Sequence, residues 1–262
     1  MSILDKIIKD KYREVFLKKS IIPVSQLEAS VFFNKPSLSL STKLNSTSFG
    51  VIAEHKRRSP SKAVINHSFS VEEVVVGYEQ AGACGVSVLT DSKYFGGSID
   101  DMLLARASIG IPILRKEFII DAYQILEAKA YGADAILLIA AVLSRQEIKS
   151  LSEFAKSLNL EVLLEVHNEE ELEKSLMPSL DMIGVNNRNL KTFKVSIETS
   201  KYLADKIPKE FVKVSESGIS SVDTVIELGN YDYKGFLIGE EFMKASDAAK
   251  AAATFISKLQ TH

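Results

Sequence analysis

The sequence predicts an α/β fold, a closed (β/α)8 TIM barrel with an N-terminal helical extension. Strand and helix patterns alternate from about residue 48 to the C-terminus, which is typical of parallel βαβ units. Eight such units can be counted, and eight parallel strands can close on themselves without leaving a sheet edge. The 262 residues, 46% of them hydrophobic, suffice for one large core, because such barrels use about 200 to 250 residues.

Hydrophobic periodicity places each element along the barrel. Short apolar runs are expected for strands that are buried on both faces. Helix starts carry capping signals at Ser70 with Glu73, at Asp121 and at Ser144. The predicted strands lie near 49–53, 85–89, 111–115, 134–139, 160–166, 181–185, 211–215 and 235–238. The predicted helices lie near 71–82, 98–108, 121–131, 145–158, 169–176, 196–205, 220–229 and 247–259. We favour a closed barrel over an open doubly wound sheet because of this count and because no GxGxxG or P-loop lysine motif occurs.

The chain is expected to form one domain, a catalytic barrel of residues 48–262 with residues 1–47 packed on it as the helical extension. The leading segment carries one apolar helical stripe, which usually faces a core. Its acidic residues Asp5, Asp10 and Glu14 argue against a transit peptide or an anchor to an anionic membrane. A helix that packs on the barrel is therefore the expectation.

Composition excludes several classes of function. A formal charge of −2 and a pI near 6.2 give no basic footprint for nucleic acid. The longest uncharged apolar stretch, Ala135 to Leu143, is well short of the roughly 20 residues that span a bilayer. The single cysteine, Cys84, cannot form an internal disulfide and is expected to be a buried structural thiol. We predict a soluble cytoplasmic protein with neither a nucleic-acid nor a membrane partner.

Six of the apolar runs end abruptly in charged or amide side chains. The carboxyl ends of barrel strands converge on one mouth, so residues far apart in sequence should meet there. Lysines and glutamates at such a mouth can supply both acid and base, and we expect lowered lysine pKa values and raised glutamate pKa values. Solvated surface charge is the alternative for any single position, but six strand ends of one kind favour a site. The residues expected at this mouth are Glu54, Lys56, Lys116, Glu165, Asn186, Arg188, Glu216 and Ser217.

The last two βα units carry a second signal, for an anion. Gly218 and Gly239 follow the apolar runs of the seventh and eighth strands, and glycine there lets backbone N–H groups approach a phosphate. Ordinary turns are the alternative, since glycine is common in turns. Because carboxylates repel an anion, we expect Glu240 and Glu241 to face solvent or cap a short helix and only main-chain donors to point inward. The sequence therefore predicts a phosphorylated substrate.

The first loop, residues 55–69, is long for a βα connection. It contains Lys56, Arg57, Arg58 and Lys62, and a long loop dense in cations at a barrel mouth predicts a lid over an anionic ligand. Simple solvation is the competing interpretation. Neither His55 nor His167 has the spacing to other His or Cys residues that a metal site needs. We predict no metal.

Six motifs resemble one known family, the indole-3-glycerol-phosphate synthases of tryptophan biosynthesis. The similarity extends from about residue 48 to the C-terminus, and the first motif is quite specific. The motifs are AEHKRRSPS (53–61), LRKEFI (114–119), LEVHN (164–168), IGVNNRNL (183–190), VSESGI (214–219) and GFLIGE (235–240). The resemblance implies closure of 1-(2-carboxyphenylamino)-1-deoxyribulose 5-phosphate to indole-3-glycerol phosphate, with loss of carbon dioxide and water and with no cofactor.

The resemblance also implies roles for individual residues. Lys116 would be the general acid at the ribulose carbonyl, Glu165 would stabilise the cationic intermediate and serve dehydration with Lys56, and Glu54 would orient the lysines and transfer protons. The catalytic set is completed, with roles in positioning substrate, by Asn186, Glu216 and Ser217. Further substrate contacts are implied for Arg188, Ser59, Ser61, Phe95, Phe118 and Leu137, the last three around the anthranilate ring. Phosphate contacts are implied for Gly218, Gly239, the main chain of Glu240 and Ser59.

The chain departs from the family pattern at Ala63, where glycine is expected, and at Glu117, where aspartate is usual. The departure at Ala63 bears on the mobility of the lid, and the departure at Glu117 bears on the placement of Lys116. The resemblance also suggests other tryptophan-pathway enzymes as partners. The alternatives are another phosphosugar barrel, either a Schiff-base aldolase that uses Lys116 or Lys56 or a phosphoribosylanthranilate isomerase, and a non-catalytic phosphate-binding barrel.

Overall fold

The fold is a closed barrel of eight parallel strands, as the sequence predicts. A computed structural model describes residues 2–60, 62, 64–66, 69–190 and 192–261. Strands β1 to β8 pair in chain order, and β8 pairs with β1 to complete the barrel. The strands are β1 Gly50–His55, β2 Gly85–Leu89, β3 Ile113–Lys116, β4 Ala135–Ile139, β5 Glu161–Val166, β6 Met182–Asn186, β7 Val212–Glu216 and β8 Gly235–Ile238.

Helices surround the barrel and also lead into it. The eight helices predicted after the strands are confirmed with shifts of a few residues at their ends, whereas the short helices α2, α3 and α5 were not predicted. Ser70 accepts a hydrogen bond from the backbone N–H of Glu73, and Asp121 and Ser144 form complete capping boxes. The helices are α1 Ile3–Ile21, α2 Val24–Glu28, α3 Leu40–Asn45, α4 Val71–Gln80, α5 Ser92–Phe95, α6 Ile99–Ser108, α7 Ala122–Ala130, α8 Arg145–Ser157, α9 Glu169–Ser175, α10 Glu198–Ala204, α11 Val222–Gly229, α12 Glu240–Met243 and α13 Ala248–Leu259.

Helix α3 closes the amino-terminal end of the barrel. Leu40 and Leu44 are fully buried and pack with the side chains inside the barrel. Glycines at the strand starts make room for them: a Cβ on Gly50 would lie 2.6 Å from Leu44 Cδ2, and one on Gly85 would lie 2.6 Å from Leu40 Cδ1. Cys84 is buried beside them as a free thiol, as expected. This end of the barrel is an apolar plug, which leaves the opposite mouth for chemistry.

Helix α1 lies against the carboxyl-terminal mouth. Its apolar residues Ile3, Leu4 and Ile7 reach the cavity at that mouth, and Lys19 forms a 2.6 Å ion pair with Asp121 at the start of α7. Of the apolar stripe of the leading segment, Ile7 and Val15 are buried, whereas Tyr12 and Phe16 are exposed. None of the helices in the described ranges is long and apolar enough to cross a membrane.

Candidate active site

The predicted mouth residues line a single cavity of about 430 Å³, within the usual range for small-molecule sites. Barrel topology explains the convergence, since each residue lies at or just after the carboxyl end of its strand. Ser61 and Ala63 lie outside the described residues. Every other predicted site residue lines this cavity: Glu54, Lys56, Ser59, Phe95, Lys116, Phe118, Leu137, Glu165, Asn186, Arg188, Glu216, Ser217, Gly218, Gly239 and Glu240.

Two lysine–glutamate groups form the floor of the cavity. Lys116, the last residue of β3, forms ion pairs with Glu216 at the end of β7 and, at 3.4 Å, with Glu165 of β5. Lys56 Nζ lies 2.7 Å from Glu54 Oε1. Each lysine therefore reaches the cavity while a carboxylate fixes its position, an arrangement suited to proton transfer.

The charge environment of Lys116 differs from the sequence expectation. Burial alone would lower the pKa of its ammonium, but the carboxylates of Glu216, Glu165 and Glu54 outweigh burial and raise it. The prediction of a lowered lysine pKa is wrong here, because three anions surround Lys116 where other cations were expected. The ammonium is thus protonated at neutral pH and able to act as an acid.

The glutamates of the floor divide into two kinds. Burial raises the pKa of Glu216, as predicted for a desolvated glutamate, and Glu165 adds to the effect while Lys116 opposes it. Burial would also raise the pKa of Glu54, but Lys56 and Lys116 outweigh it and leave that pKa lowered. Within the described part of the chain, Glu216 Oε1 is buried without a hydrogen-bond partner. Such an oxygen is a candidate contact for a bound molecule.

The turns after β7 and β8 form one wall. Ser217 and Gly218 both have positive φ, 68° and 76°, and for a non-glycine residue this conformation is strained and concentrates at functional sites. Gly239 is crowded, because a Cβ there would lie 2.7 Å from Glu54 Oε1. We expected the Glu240 and Glu241 carboxylates to face solvent or cap a helix. Both are partly exposed and each also pairs with a lysine, Glu240 with Lys62 at 3.3 Å and Glu241 with Lys244 at 2.6 Å.

An apolar slot forms another wall. The rings of Phe95 and Phe118 lie 5.8 Å apart between centroids, and Leu137 is buried beside the cavity. The α1 residues Ile3, Leu4 and Ile7 add further apolar lining to the cavity. The place of α1 in the site was not predicted, although its apolar stripe was the available signal.

The cations of the first loop do not all face the cavity. Arg57 pairs with Asp101 and donates to the carbonyl of Gly96, and Arg58 donates to the carbonyl of Ser92. The lid prediction counted both arginines among the cations of this loop, but carbonyl and carboxylate oxygens after β2 hold them. Lys56 and Ser59 do reach the cavity.

The two histidines near the site have different surroundings. Burial lowers the pKa of His55 to about 4, and Arg57 adds to the effect. His167 lies between two carboxylates, with Nε2 3.3 Å from Glu165 Oε1 and Nδ1 3.1 Å from Glu171 Oε2. Burial would lower the pKa of His167, but these carboxylates raise it. The spacing of His167 in the sequence bears only on metal ligation, so its contact with Glu165 was not predicted.

In the ranges that the structure describes, no group of three or more His, Cys, Asp or Glu residues could hold a metal ion. Fold and site together are those of a (β/α)8-barrel enzyme whose cavity brings lysines and glutamates together beside apolar side chains.

Comparison with known proteins gives the family. The model of the indole-3-glycerol phosphate synthase family matches residues 4–255. The indole-3-glycerol phosphate synthase of Bacteroides thetaiotaomicron is 46% identical over 258 residues, covering 98% of this chain and 99% of that protein. The Aliarcobacter butzleri enzyme of the same name is 42% identical over 92% of this chain and 94% of its own length. The chain belongs to the indole-3-glycerol phosphate synthase family.

Solved structures with lower identity share the fold alone. The KGPDC of Streptococcus mutans superposes with a TM-score of 0.61 at 14% identity, covering 81% of this chain and 98% of that one. The alpha subunit of tryptophan synthase from Legionella pneumophila gives a TM-score of 0.60 at 12% identity, covering 85% and 97%. Both support the barrel architecture and carry no statement about chemistry.

Proposed function

We propose that this chain converts 1-(2-carboxyphenylamino)-1-deoxyribulose 5-phosphate to indole-3-glycerol phosphate, carbon dioxide and water, as a carboxy-lyase of tryptophan biosynthesis. The observation that carries the proposal is the position of Lys116. Its ammonium lies between Glu165 and Glu216 in a cavity with an aromatic slot on one side and the β7 and β8 turns on another. Family membership favours this reaction over an aldolase, an isomerase or a non-catalytic barrel.

Ring closure needs an acid at the ribulose carbonyl. The aryl carbon that bears the carboxylate attacks the carbonyl carbon, and Lys116 gives its proton to the carbonyl oxygen. The raised pKa of Lys116 keeps it protonated before this step. The electrons of the bond to the carboxylate then restore the aromatic ring as carbon dioxide leaves.

Loss of water completes the indole. The hydroxyl formed in the first step leaves with a proton from Lys56, and a ring proton leaves to a base. Glu165 balances the cationic intermediate and serves as that base. Glu54 orients Lys56 through their 2.7 Å ion pair and shares in proton transfer.

Binding energy comes from both ends of the substrate. Phe95, Phe118 and Leu137 hold the anthranilate ring, and remote binding of this kind aligns the reacting atoms. Phosphate is held by the main chain at Gly218, Gly239 and Glu240 and by Ser59. The remaining positioning contacts are assigned to Asn186, Arg188, Glu216 and Ser217, with Ser61 of the lid as a further contact. We place the protein in the cytoplasm, with other tryptophan-pathway enzymes as partners to be tested by co-purification.

The test is incubation with the proposed substrate while indole fluorescence is followed. The chain contains no tryptophan, so the protein adds no indole emission of its own to the signal. We expect turnover without added cofactor and after treatment with a chelator. Borohydride treatment in the presence of substrate should leave the protein without a covalent lysine adduct. An adduct on Lys116 or Lys56, or no indole formation, would contradict the proposal.

A further inference from the structure

A buried lysine of α1 lies just behind the aromatic slot. Lys11 of α1 is 1% exposed, and its Nζ lies 2.8 Å from Glu14 Oε2, 3.0 Å from Asp91 Oδ2 and 3.1 Å from Glu117 Oε1. Burial would lower the pKa of Lys11, but Glu117 and Asp91 outweigh it and raise that pKa. Lys11 is therefore a fixed positive charge in the interior.

One of its carboxylates fixes Phe95. Asp91 Oδ1 accepts hydrogen bonds from the backbone N–H groups of Tyr94, at 2.7 Å, and Phe95, at 3.3 Å. These bonds begin helix α5, whose last residue is Phe95. The other oxygen of Asp91 faces Lys11, so the lysine orients the carboxylate that starts this helix.

The other carboxylate fixes Phe118. Glu117 Oε1 accepts from the backbone N–H of Phe118 at 2.8 Å, and Oε2 accepts from Thr90 Oγ1 at 2.8 Å. Lys11 thus lies between the anchors of the two rings, which are 5.8 Å apart. Glu117 is also a position at which the sequence departs from the family pattern.

We propose that Lys11 is a positioning residue that sets the separation of Phe95 and Phe118 and so fits the slot to the planar anthranilate ring. The inference rests on the proposed function. Asp91 and Glu117 are both 2% exposed, and after Lys11 the nearest cation to Glu117 is Arg115 at 3.8 Å. Without Lys11 the two buried carboxylates repel each other, and the backbone that each one holds moves with it.

The test compares ring binding with phosphate binding in Lys11→Met. One probe is the reduced substrate, 1-(2-carboxyphenylamino)-1-deoxyribitol 5-phosphate, whose anthranilate fluorescence reports binding, and the other is inorganic phosphate. We expect the Kd of the reduced substrate to rise ~10-fold or more, in keeping with the sensitivity of sites to shifts of about 1 Å. The Kd of phosphate should stay within about 2-fold, and KM should change more than kcat.

Lys19→Met is the matched control, because Lys19 also ties α1 to the barrel, through an exposed ion pair with Asp121. It should leave both affinities unchanged. Lys11→Arg keeps the charge and should restore most of the affinity for the reduced substrate. If Lys11→Met does not fold, Lys11→Gln is read in its place, since its amide can still donate a hydrogen bond to Asp91 or Glu117 but carries no charge; the same split is expected.

Two results would overturn the proposal: unchanged affinity for the reduced substrate in the variant that folds, or an equal loss for the reduced substrate and phosphate. A wild-type protein that binds the reduced substrate but forms no indole would contradict the proposed reaction and leave this comparison intact.

Discussion

Two lysines lie among carboxylates in the same structure, the partly buried Lys116 and the fully buried Lys11, and we assign them different roles. Around Lys11, the oxygens of Asp91 and Glu117 are all engaged by backbone N–H groups, a hydroxyl or the ammonium itself. Around Lys116, the group opens into the cavity, and Glu216 Oε1 is without a hydrogen-bond partner in the described residues. Every carboxylate oxygen of Asp91 and Glu117 has a partner, which suits a structural role for the Lys11 ion pairs. The Glu216 oxygen beside Lys116 lacks one and is available to a bound molecule.

The pKa directions of the two glutamates express this difference. Burial would raise the pKa of Glu117, yet Lys11 and Arg115 outweigh it and the pKa is lowered. Burial prevails at Glu216, where the pKa is raised. Folding therefore favours the ionised form of Glu117 and disfavours that of Glu216.

The largest expected effect is on turnover in Lys116→Met. Removal of the acid should lower kcat at least about 10²-fold, the usual scale for a general acid, while far-ultraviolet circular dichroism remains that of the wild type. Lys156→Met, which removes a lysine that pairs with Asp181 away from the cavity, is the control and should retain most of kcat. Near-wild-type turnover in Lys116→Met would break the distinction between the two lysines.

His55 extends the comparison to a buried histidine. Burial lowers its pKa more than the neighbouring carboxylates raise it. Its pKa falls from 6.5 to about 4 on folding, so the unfolded chain binds more protons between these values. The stability contribution is fully present above pH 6.5 and is lost as pH falls through 4. It amounts to about 3 kcal/mol. Urea unfolding of His55→Gln at pH 4 and pH 7 should show a pH dependence smaller by that amount, and an unchanged dependence would contradict the assignment.

Paired glutamine substitutions test the two clusters directly. Because the fold lowers the pKa of Glu117, its contribution is present above pH 4.5 and lost on acidification; Glu117→Gln should reduce the free energy of unfolding at pH 8 by roughly 1–3 kcal/mol. Because the fold raises the pKa of Glu216, ionisation costs stability as pH rises above 4.5. Glu216→Gln should equal or exceed wild-type stability at pH 8 while it loses activity. Equal destabilisation by both substitutions would refute the contrast.

The smallest effect is expected at Gly239, in the turn assigned to phosphate. A Cβ there would meet Glu54 Oε1 at 2.7 Å, so Gly239→Ala should displace Glu54 and lower kcat about 10-fold, the scale of a catalytic group moved by less than 1 Å. Gly239→Asp adds charge repulsion of the phosphate and should also raise KM. A normal KM in the aspartate variant would move the phosphate site to another turn.

The sequence predicts the barrel and most of the site because both follow from local patterns. Lys116, Glu165 and Glu216 each end an apolar run, and parallel strands in a barrel bring such residues together whatever loops connect them. The pKa direction of Lys116 was not predictable, because it depends on distances to carboxylates from three other strands. That α1 lines the cavity was not predicted either, because it depends on where this helix packs on the barrel.

Hydrogen bonds and ion pairs between distant segments could not be predicted from the sequence either. Arg57 and Arg58 belong to a cationic loop, but which oxygens they meet depends on the path of the chain after β2. In the sequence, Lys11 looks like a surface lysine of an amphipathic helix. Only the fold brings Asp91 and Glu117 beside it. Local periodicity gives no information on such contacts between segments that are far apart in the sequence.

The most direct test is a side-by-side measurement of kcat and of the Kd of the reduced substrate in Lys116→Met and Lys11→Met. We predict that Lys116→Met loses kcat and that Lys11→Met loses affinity for the ring-bearing ligand with the smaller change in kcat. Losses that fall on the same constant in both variants would contradict the division of these lysines into a catalytic and a positioning residue.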